Sequence, residues 1–330
     1  MSIELKIICD SREKLNNNAN EKAYSDHFSK KSIDDIVDII NSLGYNCHYF
    51  GGIYDLIELC NRNVSLPNDY FINISDGLFQ KNKRLQAPVL LELLGTNYSG
   101  SEPFAVALAN NKYISKKIVN METKICIPND YLVVNSQINN LKTFNYPIII
   151  KPNDEGSSIG ISKDSLIENE IDALNYLSSF TKEFSNALIE EYVSGYEVTS
   201  LIIGNEKDEK VYPLLIKVDN IAYFENLIMD KQIKMQHKRT YVNPNEYLST
   251  KCITEIISAT KSIKKCIGLS DIARIDFRIK KDGTIYFIEV NSNPVLSKNS
   301  EIGEIEKIYN TSAPKLIDSY IKTFINRVQN

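Results

Sequence analysis

Two carboxylates and an arginine near the end of the chain are spaced so that a strand pair would gather them on one face. Asp271-Ile-Ala-Arg-Ile-Asp-Phe-Arg-Ile-Lys-Lys-Asp-Gly-Thr-Ile-Tyr-Phe-Ile-Glu-Val-Asn291 alternates apolar and polar residues on both sides of Asp282-Gly283. Asp-Gly between two such runs predicts a hairpin with a two-residue turn. With Lys281 facing Thr284, subtraction sets Asp276 opposite Glu289 and Arg274 opposite Asn291. Facing residues have Cβ atoms about 4.5–5.5 Å apart, and facing like charges destabilise a sheet. A divalent cation between the carboxylates would remove that conflict. Oxygen donors from Asp276, Glu289 and Asn291 on a preformed strand pair suit Mg²⁺.

Two segments further upstream carry complementary chemistry. Lys151-Pro-Asn-Asp-Glu-Gly-Ser-Ser-Ile-Gly160 follows the apolar run Ile148–Ile150. Its glycines and serines can expose N–H groups and hydroxyls to an anion, and the lysine at the strand end acts as a point charge for phosphate. It is not a Walker loop, because the G-x-x-x-x-G-K-[ST] spacing is absent. Ala187-Leu-Ile-Glu-Glu-Tyr-Val193 is apolar and ends in two acids, with Gly195 and Glu197 beyond it. Such a strand end can offer its backbone to an adenine rim, and a nearby acid can hold ribose hydroxyls. Each segment has a bland reading as a turn or an exposed strand end. Together, in this order, they assemble an ATP site.

The rest of the chain must position these pieces. At 330 residues it is long for one domain and suits two or three that share a cleft. Hydrophobic residues make up 43% and charged residues 24%, as in an ordinary globular protein. The net charge of −4 gives no bulk attraction to nucleic acid or an anionic membrane, so any hold on phosphate must come from placed groups. The first ten residues read as neither a signal peptide nor a spanning helix. Six scattered cysteines without a C-x-x-C point to reduced thiols and a cytoplasmic protein. Ile3–Cys9, Asn46–Phe50 and Tyr70–Ile74 read as strands. Between them fall a helix entered by a capping box at Ser32 and Asp35 and ended at Gly44, and a short helix over Tyr54–Cys60. That β-α-β-α-β order predicts a parallel, doubly wound first domain. Glu102–Val119 reads as one helix, and Tyr146–Lys151 and Ala187–Val193 as strands around a helix over Ser165–Phe180. A polar stretch from Met229 to Asn245, a helix over Ser249–Gly268, the hairpin, and an amphipathic helix over Leu316–Val328 complete the pattern.

At this point the chain resembles the ATP-grasp superfamily and, within it, the D-alanine–D-alanine ligase family. The resembling pieces are Pro88-Val-Leu-Leu-Glu-Leu-Leu-Gly-Thr-Asn-Tyr-Ser-Gly-Ser101, Asn111-Lys112, the Lys151–Gly160 turn, Ile189-Glu-Glu-Tyr-Val-Ser-Gly-Tyr-Glu197, Ala273-Arg-Ile-Asp-Phe277 and Ile288-Glu-Val-Asn-Ser-Asn-Pro294, all in family order. The resemblance implies an α/β protein, with two α+β subdomains (119–196 and 197–330) clasping ATP behind a Rossmann-like domain over 1–118. It implies that Lys112 and Lys151 hold phosphates under a turn formed by Gly156, Ser157, Ser158 and Gly160. Glu190, Glu191, Tyr192 and Val193 would line the adenine rim, with Glu197 on the ribose. Asp276, Glu289 and Asn291 would bind two Mg²⁺ or Mn²⁺, and Arg274 would stabilise the charged intermediate. Ser157, Ser300 and Glu13 would help to hold amino-acid substrates. The implied reaction activates a carboxylate as an acyl phosphate and joins it to an amine, in a soluble enzyme that acts as a homodimer without nucleic-acid or membrane partners.

Three places depart from the family pattern. The stretch 224–241 has Lys231, Lys234, Lys238 and Arg239 but no adjacent Lys-Tyr pair. Val295 stands where the family has a glycine after the proline, and the loop Asp10–Asn20 is rich in asparagine. These departures leave room for an L-amino-acid, dipeptide or carrier-linked ligase of specialised metabolism. In another class, a catalytically silent ATP-binding regulator would also carry most of these motifs.

Overall fold

The computed structural model describes residues 3–16, 27–78, 82–134, 141–156, 158–230, 233 and 239–329. Strands β1 (Glu4–Ile8), β2 (Asn46–Gly51), β3 (Tyr70–Asn73) and β4 (Asn97–Tyr98) form an all-parallel sheet in the order β2-β1-β3-β4. Helices α1 (Arg12–Asn16), α2 (Lys30–Ser42), α3 (Ile53–Asn61) and α4 (Gln86–Leu93) lie between or after these strands. Helix α2 packs Ile33, Ile36 and Ile40 against Leu5 and Ile7. Leu56 of α3 and Leu91 of α4 meet Ile8 and Phe71 in a separate cluster. A period-two strand between two helical layers is what a doubly wound unit requires. The cap of α2 differs from the sequence reading: Ser29, not Ser32, is the N-cap, and its hydroxyl accepts the Ser32 N–H.

The single helix expected over Glu102–Val119 is two, α5 (Pro103–Asn110) and α6 (Lys112–Thr123). Asn111 takes extended backbone angles (φ −93°, ψ 96°) and its side chain accepts the Ile114 N–H, capping a new helix. The Lys112 N–H is thereby turned to the Asn153 carbonyl at 3.1 Å. This break fixes α6 against the turn that follows the Lys151 strand.

A small antiparallel sheet, β5-β8-β6-β7, is built from β5 (Asp130–Val134), β6 (Ile148–Pro152), β7 (Leu166–Ile167) and β8 (Asn186–Glu191). Helix α7 (Glu170–Glu183) covers it through Ala173, Leu177 and Phe180. It starts later than the expected Ser165, because Asn169 caps it while Ser165 is used in a preceding 3₁₀ turn. The larger sheet runs β12-β10-β9-β13-β14, with β11 added to β9. Its strands are β9 (Gly195–Ile203), β10 (Lys210–Val218), β11 (Tyr223–Phe224), β12 (Arg239–Val242), β13 (Ile272–Ile279) and β14 (Ile285–Asn291). Helix α8 (Thr250–Ile267) fits its sequence signals closely, with Ser249 as N-cap and Gly268 in the left-handed region at φ +80°. Ile256 and Ile263 of α8 share a core with Ala105, Val119, Ile275 and Phe277. Helices α9 (Glu301–Ile308) and α10 (Ala313–Gln329) return to the first sheet, placing Ile305, Ile317, Ile321 and Phe324 beside Leu5 and Ile7.

The hairpin register is the fold's most consequential detail. The expected two-residue turn is wrong: Gly283 N–H bonds the Lys280 carbonyl at 2.9 Å, and Lys280 N–H bonds Thr284 at 3.0 Å. Gly283 at φ +89° supplies the left-handed residue of this longer connection. Below it, Ile279 faces Ile285 and Phe277 faces Phe287, one residue off the expected register. A β-bulge at Ile288 then restores the count, so that Asp276 faces Glu289 and Arg274 faces Asn291. Two one-residue departures cancel at the position that matters.

Among the described residues no helix is long and apolar enough to cross a membrane, and the six cysteines are free. Asp271, fully buried at the start of β13, ties three segments together. It accepts from Gly100 N–H at 2.8 Å, Asn205 Nδ2 at 2.9 Å, and Arg327 Nε and Nη2 at 2.8 Å each. Asp271→Ala would strand these donors and keep a non-glycine residue at φ +64°. Urea unfolding of this variant is expected to show a loss of about 3 kcal/mol, as for other broken buried ion pairs.

Candidate active site

A cleft between the small and large sheets has two kinds of wall. Ile149, Ile161, Ile216, Ile228, Met229 and Phe277 make one part apolar. Lys112, Lys151, Arg274, Asp276 and Glu289 line another part. An adjoining cavity shares Lys112, Gly156, Arg274 and Glu289 and continues past Asn291 to Val295 and Ser300. The charged groups therefore stand where the two spaces meet. An apolar slot leading to fixed cations suits a flat base joined to an anionic tail.

The cations are placed by the helix break and by the bulge. Lys112, at the first turn of α6, donates to the Glu155 carbonyl and lies 3.7 Å from Glu289 Oε2. Lys116, one turn on, is fully buried and donates to the Ile288 carbonyl at the bulge. It also stands 2.8 Å from Glu190 Oε1, while Lys151 stands 2.7 Å from Glu190 Oε2. Burial pushes the Lys116 ammonium down to about 8, against the pull of Glu190. Burial lowers Lys112 as well, with Glu289 opposing. For Glu190 burial works against ionisation, but the two ammonium groups prevail and hold its carboxyl below the usual range.

Asp276 accepts a fork from Arg274, with Nε at 3.1 Å from Oδ1 and Nη2 at 2.9 Å from Oδ2. Thr199 Oγ1 donates to Oδ1 at 2.6 Å. Burial pushes the Asp276 carboxyl up; Arg274 opposes that, and the facing Glu289 adds to it. Asn291 accepts from Arg84 Nη1 at 3.3 Å. The turn over the cleft is closed by Ser158, whose hydroxyl donates to the Met229 carbonyl at 2.8 Å from a left-handed backbone, φ +62°. Gly160 has φ +70°, and a Cβ there would meet Pro152 at 2.6 Å, so only glycine lets the turn fold back. Ser157 lies outside the described residues.

Comparison with known proteins follows the same lines. The family described as D-ala D-ala ligase C-terminus matches residues 124–322. The chain belongs to the D-alanine–D-alanine ligase family. It is 29% identical over 307 residues to the D-alanine–D-alanine ligase of Petrotoga mobilis, covering 93% of this chain and 96% of that one. It is 28% identical to the Fervidobacterium nodosum enzyme of the same name, over 82% of this chain and 84% of that one. In fold it resembles the Bacillus anthracis D-alanine–D-alanine ligase complexed with ATP, with TM-score 0.74, 20% identity and 99% of both chains covered. It also resembles the VanG D-Ala:D-Ser ligase of Enterococcus faecalis, with TM-score 0.72 and 18% identity over 98% of this chain and 100% of that one. The fold is the ATP-grasp fold, and membership makes this an ATP-dependent ligase that joins a carboxylate to an amine.

Not every sequence candidate reaches the ligase's cleft. Glu13 sits in α1 and accepts the Lys30 N–H at 2.8 Å, bracing the start of α2. Glu191 points to the Asn129 and Asn145 side chains and the Asn145 N–H, at 3.0, 3.0 and 2.8 Å. Glu190 is gripped by lysines rather than set on a rim, and Val193 is buried. Tyr192 and Glu197 do line the cleft. Ser300 lines the adjoining cavity, where its hydroxyl is 2.7 Å from the carbonyls of Val295 and Ser297. Val295 is absent from the positive-φ residues among those described, so valine fits its backbone. Of the basic residues in 224–241, Lys231, Lys234 and Lys238 lie outside the described residues, while Arg239 opens β12 and lines both cavities.

Sequence reasoning missed four groups. Arg278 holds Glu197 at 2.8 Å and packs over the Tyr192 and Phe224 rings; its period-two spacing from Arg274 and Asp276 was a usable signal. Lys116 follows Lys112 by one helical turn, which also could have found it. Arg84, bonded to Asp76 at 3.0 Å and to Asn291, and Glu301, 3.3 Å from Arg274, have no local signal. Glu190→Gln leaves two buried ammonium groups without their counter-charge. It is expected to lower stability by about 3 kcal/mol in urea unfolding, far more than Glu191→Gln on the exposed side of the same strand end.

Proposed function

We propose that this ligase joins two amino acids, phosphorylating the carboxylate of one with ATP and passing the acyl group to the amine of the other. The observation that carries the reading is Asp276 facing Glu289, with Arg274 and Asn291 paired beside them at the end of a lysine-lined cleft. The carboxylate oxygen attacks the γ-phosphorus and ADP leaves; the amine then attacks the acyl carbon, loses a proton, and inorganic phosphate leaves. Lys112 and Lys151 are cations for the phosphate tail, and Arg274 neutralises charge on the transferring phosphoryl group, where positioning and electrostatics supply most of the catalysis. Ser158 and Met229, joined across the cleft, help to keep water from the acyl phosphate. In this reading residues 1–118 serve the amino-acid side, 119–196 the small clasping unit and 197–330 the large one, and the enzyme works in the cytoplasm.

Asp276, Glu289 and Asn291 fit Mg²⁺: they offer only oxygen donors, and two of them are like charges held face to face. Among the described residues no group of three or more His, Cys, Asp or Glu side chains is gathered for a metal; the remaining oxygens would come from nucleotide and water. Bound there, Mg²⁺ would offset charge on the β- and γ-phosphates. Asp276→Asn and Glu289→Gln each remove charge from a repelling pair. Both are expected to keep the melting temperature within a few degrees while ligation drops at least about 10³-fold; near-normal turnover in either would refute the metal assignment.

The names of the relatives make D-alanine the reference substrate for both positions. Asp76, Arg84, Arg239 and Glu301 give the adjoining cavity charged groups of both signs, which suits a zwitterionic amino acid without choosing its side chain. A two-substrate matrix of D- and L-amino acids, with phosphate release and product masses recorded, tests both levels. Phosphate release that needs an added amino acid supports the ligase reading; a mass identifying the dipeptide decides the substrate. No amino-acid-dependent release across the matrix would overturn the proposal.

A further inference from the structure

Arg274 stands between two carboxylates. Asp276 engages Nε and Nη2, and Glu301 accepts from Nη1 at 3.3 Å. Under the proposed function, on which this inference rests, a dication and the guanidinium compete for the oxygens of Asp276. Oδ1 is already shared with Thr199. Arg274 is only 21% exposed, so once it gives up Asp276 a second counter-charge still offsets much of its desolvation.

Glu301 is built to provide it. It is the first residue of α9, which Ser300 caps, and a helix N-terminus favours a carboxylate. Ile302 and Ile305 anchor that helix in the core shared with the first sheet. The Glu301 side chain is only 8% exposed, and Tyr241 donates to the same oxygen, Oε1, at 3.2 Å. Glu301 lines both cavities, so it stands where the nucleotide space meets the adjoining one.

We infer that Glu301 is a positioning residue that takes over Arg274 when Asp276 turns to the metal, keeping the guanidinium aimed at the reacting phosphoryl group. Without Glu301, Arg274 has Asp276 as its remaining carboxylate partner and competes harder with the ion. Glu301 therefore sets how strongly Mg²⁺ tightens nucleotide binding, as well as the rate.

Calorimetry with a non-hydrolysable ATP analogue, with and without Mg²⁺, tests this in the full-length enzyme. In Glu301→Gln the tightening produced by Mg²⁺ is expected to shrink about tenfold, with affinity in EDTA unchanged, and kcat to fall at least tenfold while KM for ATP moves less than about threefold. Glu301→Asp should recover part of the loss. In an Arg274→Ala background, Glu301→Gln should have no further effect on the Mg²⁺ dependence, since the two residues act as one unit. If Glu301→Gln does not fold, Glu301→Asp and Tyr241→Phe, which loosens the same carboxylate, give the same reading at reduced size. Equal loss with and without Mg²⁺, no change at all, or a full-sized effect that persists without Arg274 would each overturn the inference. A wild-type enzyme without Mg²⁺-dependent nucleotide binding would instead sink the metal assignment within the proposed function, so the two failures are distinguishable.

Discussion

Negative charge held face to face is the constraint around which the cleft is organised. Asp276 and Glu289 are paired across β13 and β14, and β13 is pinned on its other edge along eight positions of β9, so the backbone positions that carry the carboxylates cannot separate without opening the sheet. Two unit charges about 4 Å apart at an effective dielectric of about 20 would repel by roughly 4 kcal/mol, which sets the scale for closely facing carboxylates. The surroundings answer that repulsion from every side. Arg274 and Thr199 engage Asp276, and Lys112 stands over Glu289. Each of these groups is also where a nucleotide, a metal ion or a reacting carboxylate would compete for the same charge.

A second electrostatic unit carries the frame. Glu190, with Lys116 on one oxygen and Lys151 on the other, joins the small sheet to α6, and Lys116 reaches on to the bulge in β14. Burial makes every member of this chain costly to leave alone, so the three positions hold one another. The consequence is preorganisation: Lys116 and Lys151 are held in place by the protein's own charges. The break at Asn111 and the bulge at Ile288 look like irregularities, yet each delivers one end of this unit.

Local signals in the chain were informative where function and structure share a period. Alternation along Asp271–Asn291 put Arg274, Asp276, Glu289 and Asn291 together, and helix punctuation at Ser249 and Gly268 marked α8 to within a residue. At the turn itself Asp282-Gly283 signals a two-residue connection, and the backbone uses a longer one. The correct pairing survived because a bulge, invisible to periodicity, compensated. Glu13 and Glu191 match the family by position alone, and tertiary contacts turn both elsewhere, toward Lys30 and toward Asn129 and Asn145.

The sequence by itself determined the order of the pieces: parallel first unit, cationic turn, acidic strand end, and carboxylate-bearing hairpin, because each is written in residue types a few positions apart. Only the tertiary structure decided which charges neutralise which. Arg84 meets Asn291 across 207 positions of chain, Lys116 meets the Ile288 carbonyl across 172, and Glu301 meets Arg274 across 27. Coulomb energy depends on distance in space and on burial, neither of which is encoded in spacing along the chain.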